Sequence, residues 1–497
     1  MTETQTGLIG SVTLYMLAML GIGFWTSKKI KDTADYIVAG NRLGWWLSIG
    51  TIFATWFGAE TCMGASRTAF EKGIMGVIAD PFGAGLCLVL SGVFFVKFFY
   101  KMKAKTIIDY FERRYGKVMA RILSLIYIPV YVGWVAAQVL AFGVILHSLT
   151  GIPDTACIVI STAVVILYTY WGGMWAVTIT DFVQMIILIA GFVVLFPILL
   201  KEVGGFAVMK AELPDGFFSF YPRSFSPLDW LNYLQAWMLV GIGSLPGQDL
   251  FQRIMAPKSI RIARWSSIYS GILYVFIGLL PVFLGMMGRM VLPGQSGDAI
   301  LIDLSMKYLP TVLIAVMIGA LLSAIMSTVS SAILAPAGII GHNIVSALKP
   351  DAGEALKLQW CKRSILIIGA GSLAIALYFK NIYLLCTQSW GILLVGVAAP
   401  MIAGVYWKKA NTYGAMAGAV TGTLAWIIFS FVLGDGYPNN LFGFLISCVS
   451  LIAVSWMTQG IQKPLVGEGP EECRADSIDG DRNAVRARKK MTDGACS

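Results

Sequence analysis

The sequence predicts an all-α polytopic membrane protein of about thirteen transmembrane helices, ten of them forming two five-helix repeats of opposite orientation. Three observations carry this. Apolar runs of roughly twenty residues recur along the chain, each long enough to cross a ~30 Å hydrocarbon core. The 497 residues are 57% hydrophobic and only 13% charged, with a mean hydropathy of +0.75. The runs are continuous rather than alternating, which excludes a barrel. Two of them, five apart in order, are interrupted by Gly, Pro and polar residues.

In chain order the spans fall at 7–26, 44–70, 74–98, 118–147, 154–171, 176–200, 230–252, 265–288, 310–345, 361–379, 382–407, 411–433 and 440–460. The loops test this count. With the N-terminus outside, the loops after spans one, three, five, seven, nine and eleven are cytoplasmic; the fifth is too short to count, and the others carry the Lys and Arg residues: Lys28, Lys29, Lys31 and Arg42; Lys101, Lys103, Lys105, Arg113, Arg114 and Lys117; Arg253, Lys258, Arg261 and Arg264; Lys349, Lys357, Lys362 and Arg363; Lys408 and Lys409. The opposite loops are poor in basic residues. The net charge of +10 is explained by this bias and gives no reason to invoke nucleic acid. The start of the chain lacks a basic n-region and a cleavage site, so the first span reads as uncleaved. The stretch 463–497 is polar and charged and reads as a disordered cytoplasmic tail.

The second span contains Thr51, Thr55, Gly58, Glu60, Thr61 and Gly64; the seventh contains Gly241 to Asp249, GIGSLPGQD. Gly and Pro free backbone groups, which are tolerated at membrane depth where the gap lines a polar cavity. Because five is odd, a second five-helix group crosses in the opposite sense. Interrupted spans in corresponding positions then point to an inverted-repeat transporter with its site between the breaks. This divides the chain into a leading helix and loop, 1–43; a ten-helix core, 44–410; two added helices, 411–462; and the tail.

The ninth span holds LLSAIMSTVSSAIL, Leu321 to Leu334, where Ser327, Thr328, Ser330 and Ser331 share a broad helix face with Ala324. Such hydroxyls can back-bond to their own helix or let helices pack closely. They also suit an oxygen cage for a hard cation. The eight cysteines are scattered and contain no CxxC pair, and His147 and His342 offer no catalytic pair. No Walker motif is present. These features exclude an enzyme and an ATP-driven pump.

At this point the chain resembles the sodium/solute symporter family. The most specific piece is WGGMWAVTITDFVQMIILIAG, Trp171 to Gly191, with MSTVSSA in the ninth span and the break from Ala54 to Gly64. The resemblance implies the five-plus-five, LeuT-type fold over about residues 7–460. It assigns one sodium ion to the Ser327 and Thr328 hydroxyls and to the carbonyls of Ala324, Ala54 and Phe57. A possible second sodium falls to Asp181, Ser330 and Ser331. Asp181 sits in apolar sequence just past Gly172 and Gly173, where a carboxylate needs a cationic partner.

The solute is expected between the two breaks, with Trp56, Glu60, Thr61, Asp80, Trp134, Gln138 and Gln248 as candidate lining residues. ATWFG at Ala54, YVGW ending at Trp134 and LPGQDLFQR at Leu245 are similar to the choline-transporter branch, and Trp faces attract quaternary ammonium groups. That branch carries an aromatic where this chain has Gly247. The proline branch shares the overall pattern, but typically has an Asp where this chain has Trp56. Asp249 and Arg253 are spaced for an i,i+4 pair or a gate contact.

The expected function is sodium-driven uptake of a small organic solute by alternating access, with choline or a related quaternary ammonium compound foremost, and proline, another amino acid or a small carboxylate as alternatives. The expected setting is the plasma membrane, with a monomeric transport unit, sodium and the solute as partners and no nucleic acid. A transporter-like sensor or a channel is the remote alternative.

Overall fold

The computed structural model describes residues 3–294, 297, 299–379, 382–434 and 436–459. The stretch read as a disordered tail lies outside the described residues. All long elements are helices, and ten of them have the length and apolarity to cross a membrane. One of these, Asp154–Glu202, leaves helical geometry at Gly173, with φ 48°, and therefore supplies two crossings. The ring of Tyr36 lies against Gly173, where any Cβ would strike it, so only Gly fits both the left-handed backbone and the close approach. The turn read as a loop at Gly172–Gly173 is thus a sharp kink. Two further crossings are the broken second and seventh spans, which fail the test for continuous helices because they are not continuous. Among the described residues this gives thirteen crossings, as the apolar runs predict.

The second span is Trp45–Trp56, then a break, then a π-helical turn Glu60–Gly64 and the helix Ala65–Lys72. The seventh is Pro227–Gly241, a non-helical stretch, and Gln248–Met255. The ninth span starts as Thr311–Gly338 and its middle is buried throughout. It packs against the fourth span, Lys117–Thr150, and against Asp154–Glu202. Interhelical hydrogen bonds from Tyr168 Oη to the Met326 carbonyl, 2.6 Å, and from Ser323 Oγ to Tyr15 Oη, 2.9 Å, fix it there. In a hydrocarbon setting such polar contacts and small residues hold helices together, because lipid supplies no hydrophobic drive. The last two helices, Thr412–Leu433 and Asn439–Met457, pack chiefly on each other and on the end of the eleventh span.

At the end of the bundle that carries the basic loops, the two broken spans are tied together. Leu43 N donates to the Ala256 carbonyl at 3.1 Å and Lys258 N to the Leu43 carbonyl at 3.0 Å. Close by, Lys105 Nζ reaches Thr33 Oγ1 at 3.1 Å and Glu354 at 3.5 Å, and Thr33 bonds Glu354. The short helix Ile107–Tyr115 is held by a capping box between Thr106 and Asp109.

Candidate ion and solute site

The break in the second span exposes a carbonyl. Phe57 has ψ 70°, and the Gly58 amide donates back to the Trp56 carbonyl at 2.7 Å. Gly58 N is the group that would have bonded the Ala54 carbonyl in a continuous helix, so that carbonyl is freed. Ser327 Oγ takes it at 2.9 Å and Thr328 Oγ1 at 3.4 Å, while Ser327 Oγ also donates to the Ala324 carbonyl at 2.8 Å. Four of the five oxygens read from the sequence therefore meet at one point. Gly58 makes the contact possible: a Cβ there would collide with Thr328 Oγ1 and lie 2.8 Å from Gln138 Oε1. Gln138 Oε1 accepts from Ala59 N at 2.9 Å, so this candidate lining residue pins the break.

Toward the basic end, Asp181, Arg253 and Ser331 meet with no exposure to solvent. Thr51 Oγ1 donates to Asp181 Oδ2 at 2.6 Å, the Arg253 guanidinium lies 3.9 Å from the same oxygen, and Arg253 Nη2 donates to Ser331 Oγ. Ser330 and Ser331 both bond back to the Ser327 carbonyl, at 2.9 and 2.8 Å. The guanidinium thus supplies the positive charge next to the residues that the resemblance links to a second cation. Arg253 Nη1 also donates to the Asp249 backbone carbonyl at 3.0 Å. The side-chain pair expected from the four-residue spacing does not form. Asp249 instead accepts from Trp56 Nε1 at 2.5 Å and from Tyr131 Oη, because both rings face the unwound stretch before Gln248.

Between the two breaks stands a group of aromatic rings. Trp390 lies edge-on to Trp134 at 4.7 Å and to Trp56 at 5.9 Å between centroids, and Tyr131 is 5.9 Å from Trp134. Trp390 Nε1 donates to Glu60 at 3.2 Å. Thr61 Oγ1 donates to Asp80 Oδ2 at 2.6 Å and meets Tyr274 Oη at 2.5 Å. Glu60 and Asp80 line one small cavity. Several buried polar atoms here have no partner, among them Trp134 Nε1, Gln138 Nε2 and Asp80 Oδ1. Buried polar groups are nearly always bonded, so these are atoms that water or a bound solute would satisfy.

Six of the seven candidate lining residues therefore cluster: Trp56, Glu60, Thr61, Asp80, Trp134 and Gln138. Gln248 does not join them. Its Oε1 accepts from the Ile107 amide at 2.7 Å, so it caps the short helix at the basic end. Trp390, Tyr131 and Tyr274 belong to the cluster and the sequence reading missed them. A signal existed for one: Tyr127, Tyr131, Trp134 and Gln138 are spaced four, three and four, a single helical stripe.

A bundle with paired broken helices and a polar, aromatic centre defines a membrane transporter rather than an enzyme. The chain belongs to the sodium:solute symporter family, whose model matches residues 36–422. It is a sodium-coupled solute symporter of the LeuT-type fold. It is similar to high-affinity choline transporter 1 of Caenorhabditis elegans, 25% identical over 85% of this chain and 77% of that one. It is also similar to a sodium/glucose cotransporter of Vibrio parahaemolyticus, 24% identical over 82% of each chain. The structure of a Na+-coupled sialic acid symporter, substrate-bound and outward-open, superposes with a TM-score of 0.79 at 22% identity, over 92% of this chain and 98% of that one.

Proposed function

We propose that this symporter takes up a small organic cation, with choline or a related quaternary ammonium compound as the first candidate. The observation that carries the reading is the meeting of Trp56, Trp134 and Trp390 at the centre of the bundle, with Glu60 and Asp249 bonded to two of the indoles. Indole faces attract a desolvated cation by about 2 kcal/mol or more each. The same carboxylates oppose an anionic solute, which argues against a small carboxylate. Similarity to the choline transporters supports this choice, and the aromatic missing at Gly247 is offset in part by Tyr131.

Sodium is assigned to the Ala54, Phe57 and Ala324 carbonyls with Ser327 and Thr328. Bound there, it bridges the break of the second span to the ninth span, so ion and solute each favour the conformation that holds the other. The Asp181, Ser330 and Ser331 group is assigned to Arg253 rather than to a second ion, which gives one sodium per cycle. The core 44–410 carries transport, with the flanking spans as additions, and the basic end faces the cytoplasm of a plasma membrane.

Purified protein in proteoliposomes tests this. Choline uptake should follow an inward sodium gradient and stop when potassium replaces sodium. Sodium-driven uptake of a sugar or proline, with none of any organic cation, would overturn the solute class.

A further inference from the structure

The two ends of the aromatic group are not equivalent to a single cation. Trp56 points its N–H at Asp249, on the half-helix toward the basic end, and Trp390 points its N–H at Glu60, four residues beyond Trp56 toward the other end. The packed indoles thus stand between two carboxylates. At the Glu60 end stands a second carboxylate, Asp80, which is 8% exposed and has one oxygen, Oδ1, with no partner.

The charges do not balance. Four carboxylates, Glu60, Asp80, Asp181 and Asp249, stand at the centre of the bundle, and among the described residues only Arg253 lies within ion-pair distance of any of them. Counted in their ionised forms, the four exceed one guanidinium and the proposed sodium by two negative charges. Unpaired carboxylates at membrane depth are costly and find a cation. A quaternary ammonium group meets Asp80 Oδ1 and Glu60 by charge alone, because it has no N–H to donate. Indole faces suit an alkyl ammonium; paired carboxylates suit an ammonium or amidinium that still carries hydrogens.

We infer that the solute carries two cationic heads joined by a short apolar chain, in the manner of an α,ω-diamine, with the outer N–H-bearing head on Glu60 and Asp80 and the inner head among the indoles beside Asp249. This rests on the proposal that the site takes an organic cation and narrows its class. Choline then fills only the inner half.

The test compares ligands in pairs. Purified full-length protein in sodium is titrated with 1,4-diaminobutane, with butylamine and with choline, and binding is followed by calorimetry and by thermal unfolding. The diamine is expected to bind at least about tenfold more tightly than the monoamine, the worth of one charge-assisted contact of roughly 1.4 kcal/mol. E60Q and D80N should each cut that preference about tenfold. Stabilisation of the variants by sodium alone shows that they fold; should one not fold, the wild-type comparison decides. Equal binding of diamine and monoamine, or a preference that survives both substitutions, overturns the two-headed solute. If choline and butylamine still bind, the organic-cation reading stands while this one falls. If only sugars or zwitterions bind, both fall.

Discussion

Two buried acidic groups flank the aromatic centre, and they are built differently. On the basic side, Asp181 has Arg253 3.9 Å away and a hydroxyl from Thr51, and Asp249 is held by Trp56 and Tyr131. On the other side, Glu60 has only the Trp390 N–H and Asp80 only hydroxyls, with one oxygen bare. The first group brings its own cation and the second does not. The first group holds a guanidinium at ion-pair distance, although Asp181 Oδ1 and Arg253 Nε, like Asp80 Oδ1, lack a partner. Under the proposed function, the cation that answers the second group is the solute.

The comparison is broken most forcefully at Arg253. Removing its side chain leaves Asp181 buried with one hydroxyl and Ser331 without its donor. R253A is therefore expected to lose about 3–5 kcal/mol of stability, the cost of stripping one partner from a buried ion pair. Thermal unfolding without solute is the check. An unchanged midpoint would mean that the guanidinium does not hold the inner group.

The next effect is a difference in sign. D249N replaces a carboxylate that accepts two hydrogen bonds, and its amide can accept from only one side. A loss of about 1–3 kcal/mol is expected. E60Q removes a buried charge with no cation, so without solute it should be neutral or slightly stabilising. Should both variants lose stability equally, the two sides are not distinct.

Sodium sharpens the picture further. S327A deletes one of two hydroxyls proposed as ion ligands, and the sodium needed for half-maximal solute binding should rise about tenfold, near 1.4 kcal/mol. S331A removes the acceptor of Arg253 and a bond to the Ser327 carbonyl but none of the proposed ion ligands, and should leave the sodium requirement within about twofold. If the two alanines shift it alike, the second group holds an ion after all.

Much of this was legible in the sequence, for physical reasons. Apolar runs report crossings because lipid offers the backbone no partner. The breaks at Gly58 and Gly243–Gly247 stood out because Gly and Pro are costly in a helix unless a cavity uses the freed groups. The match of the Ser327 and Thr328 hydroxyls to Ala54 came from the family resemblance, since Ser327 and Thr328 lie within a continuous helix rather than at a break. Trp390 was hidden: within an apolar span, one indole among 15 looks like packing until the eleventh span is seen beside the second. Gln248 misled for the opposite reason. Closeness to a break in sequence put it at the centre, but it opens a half-helix and its amide turns to the Ile107 N–H. Side-chain direction at a helix start depends on what waits beyond the end, and a linear pattern does not carry that.

A third carboxylate, outside the spans, gives the smallest and most specific test. Asp109 caps the short helix at the basic end. It accepts from the amides of Lys105 at 2.8 Å and Thr106 at 3.2 Å and from Asn343 Nδ2 at 2.7 Å, and it lies 3.3 Å from His342. Burial pushes its carboxyl up, but the hydrogen bond and charge of His342, with the Lys105 amide and Asn343, outweigh burial and hold it at about 2. A carboxylate lowered on folding stabilises above its unfolded value near 4, and that contribution is lost as pH falls through the folded value. Both oxygens of Asp109 thus have partners within the chain, and it should behave as structure. D109N is expected to cost about 1 kcal/mol at neutral pH, the usual worth of a cap. Its unfolding midpoint should approach that of the parent as pH falls from about 4 toward 2, because the parent alone loses the charged cap in that window. Parallel curves across it would show that Asp109 is not held ionised by its neighbours.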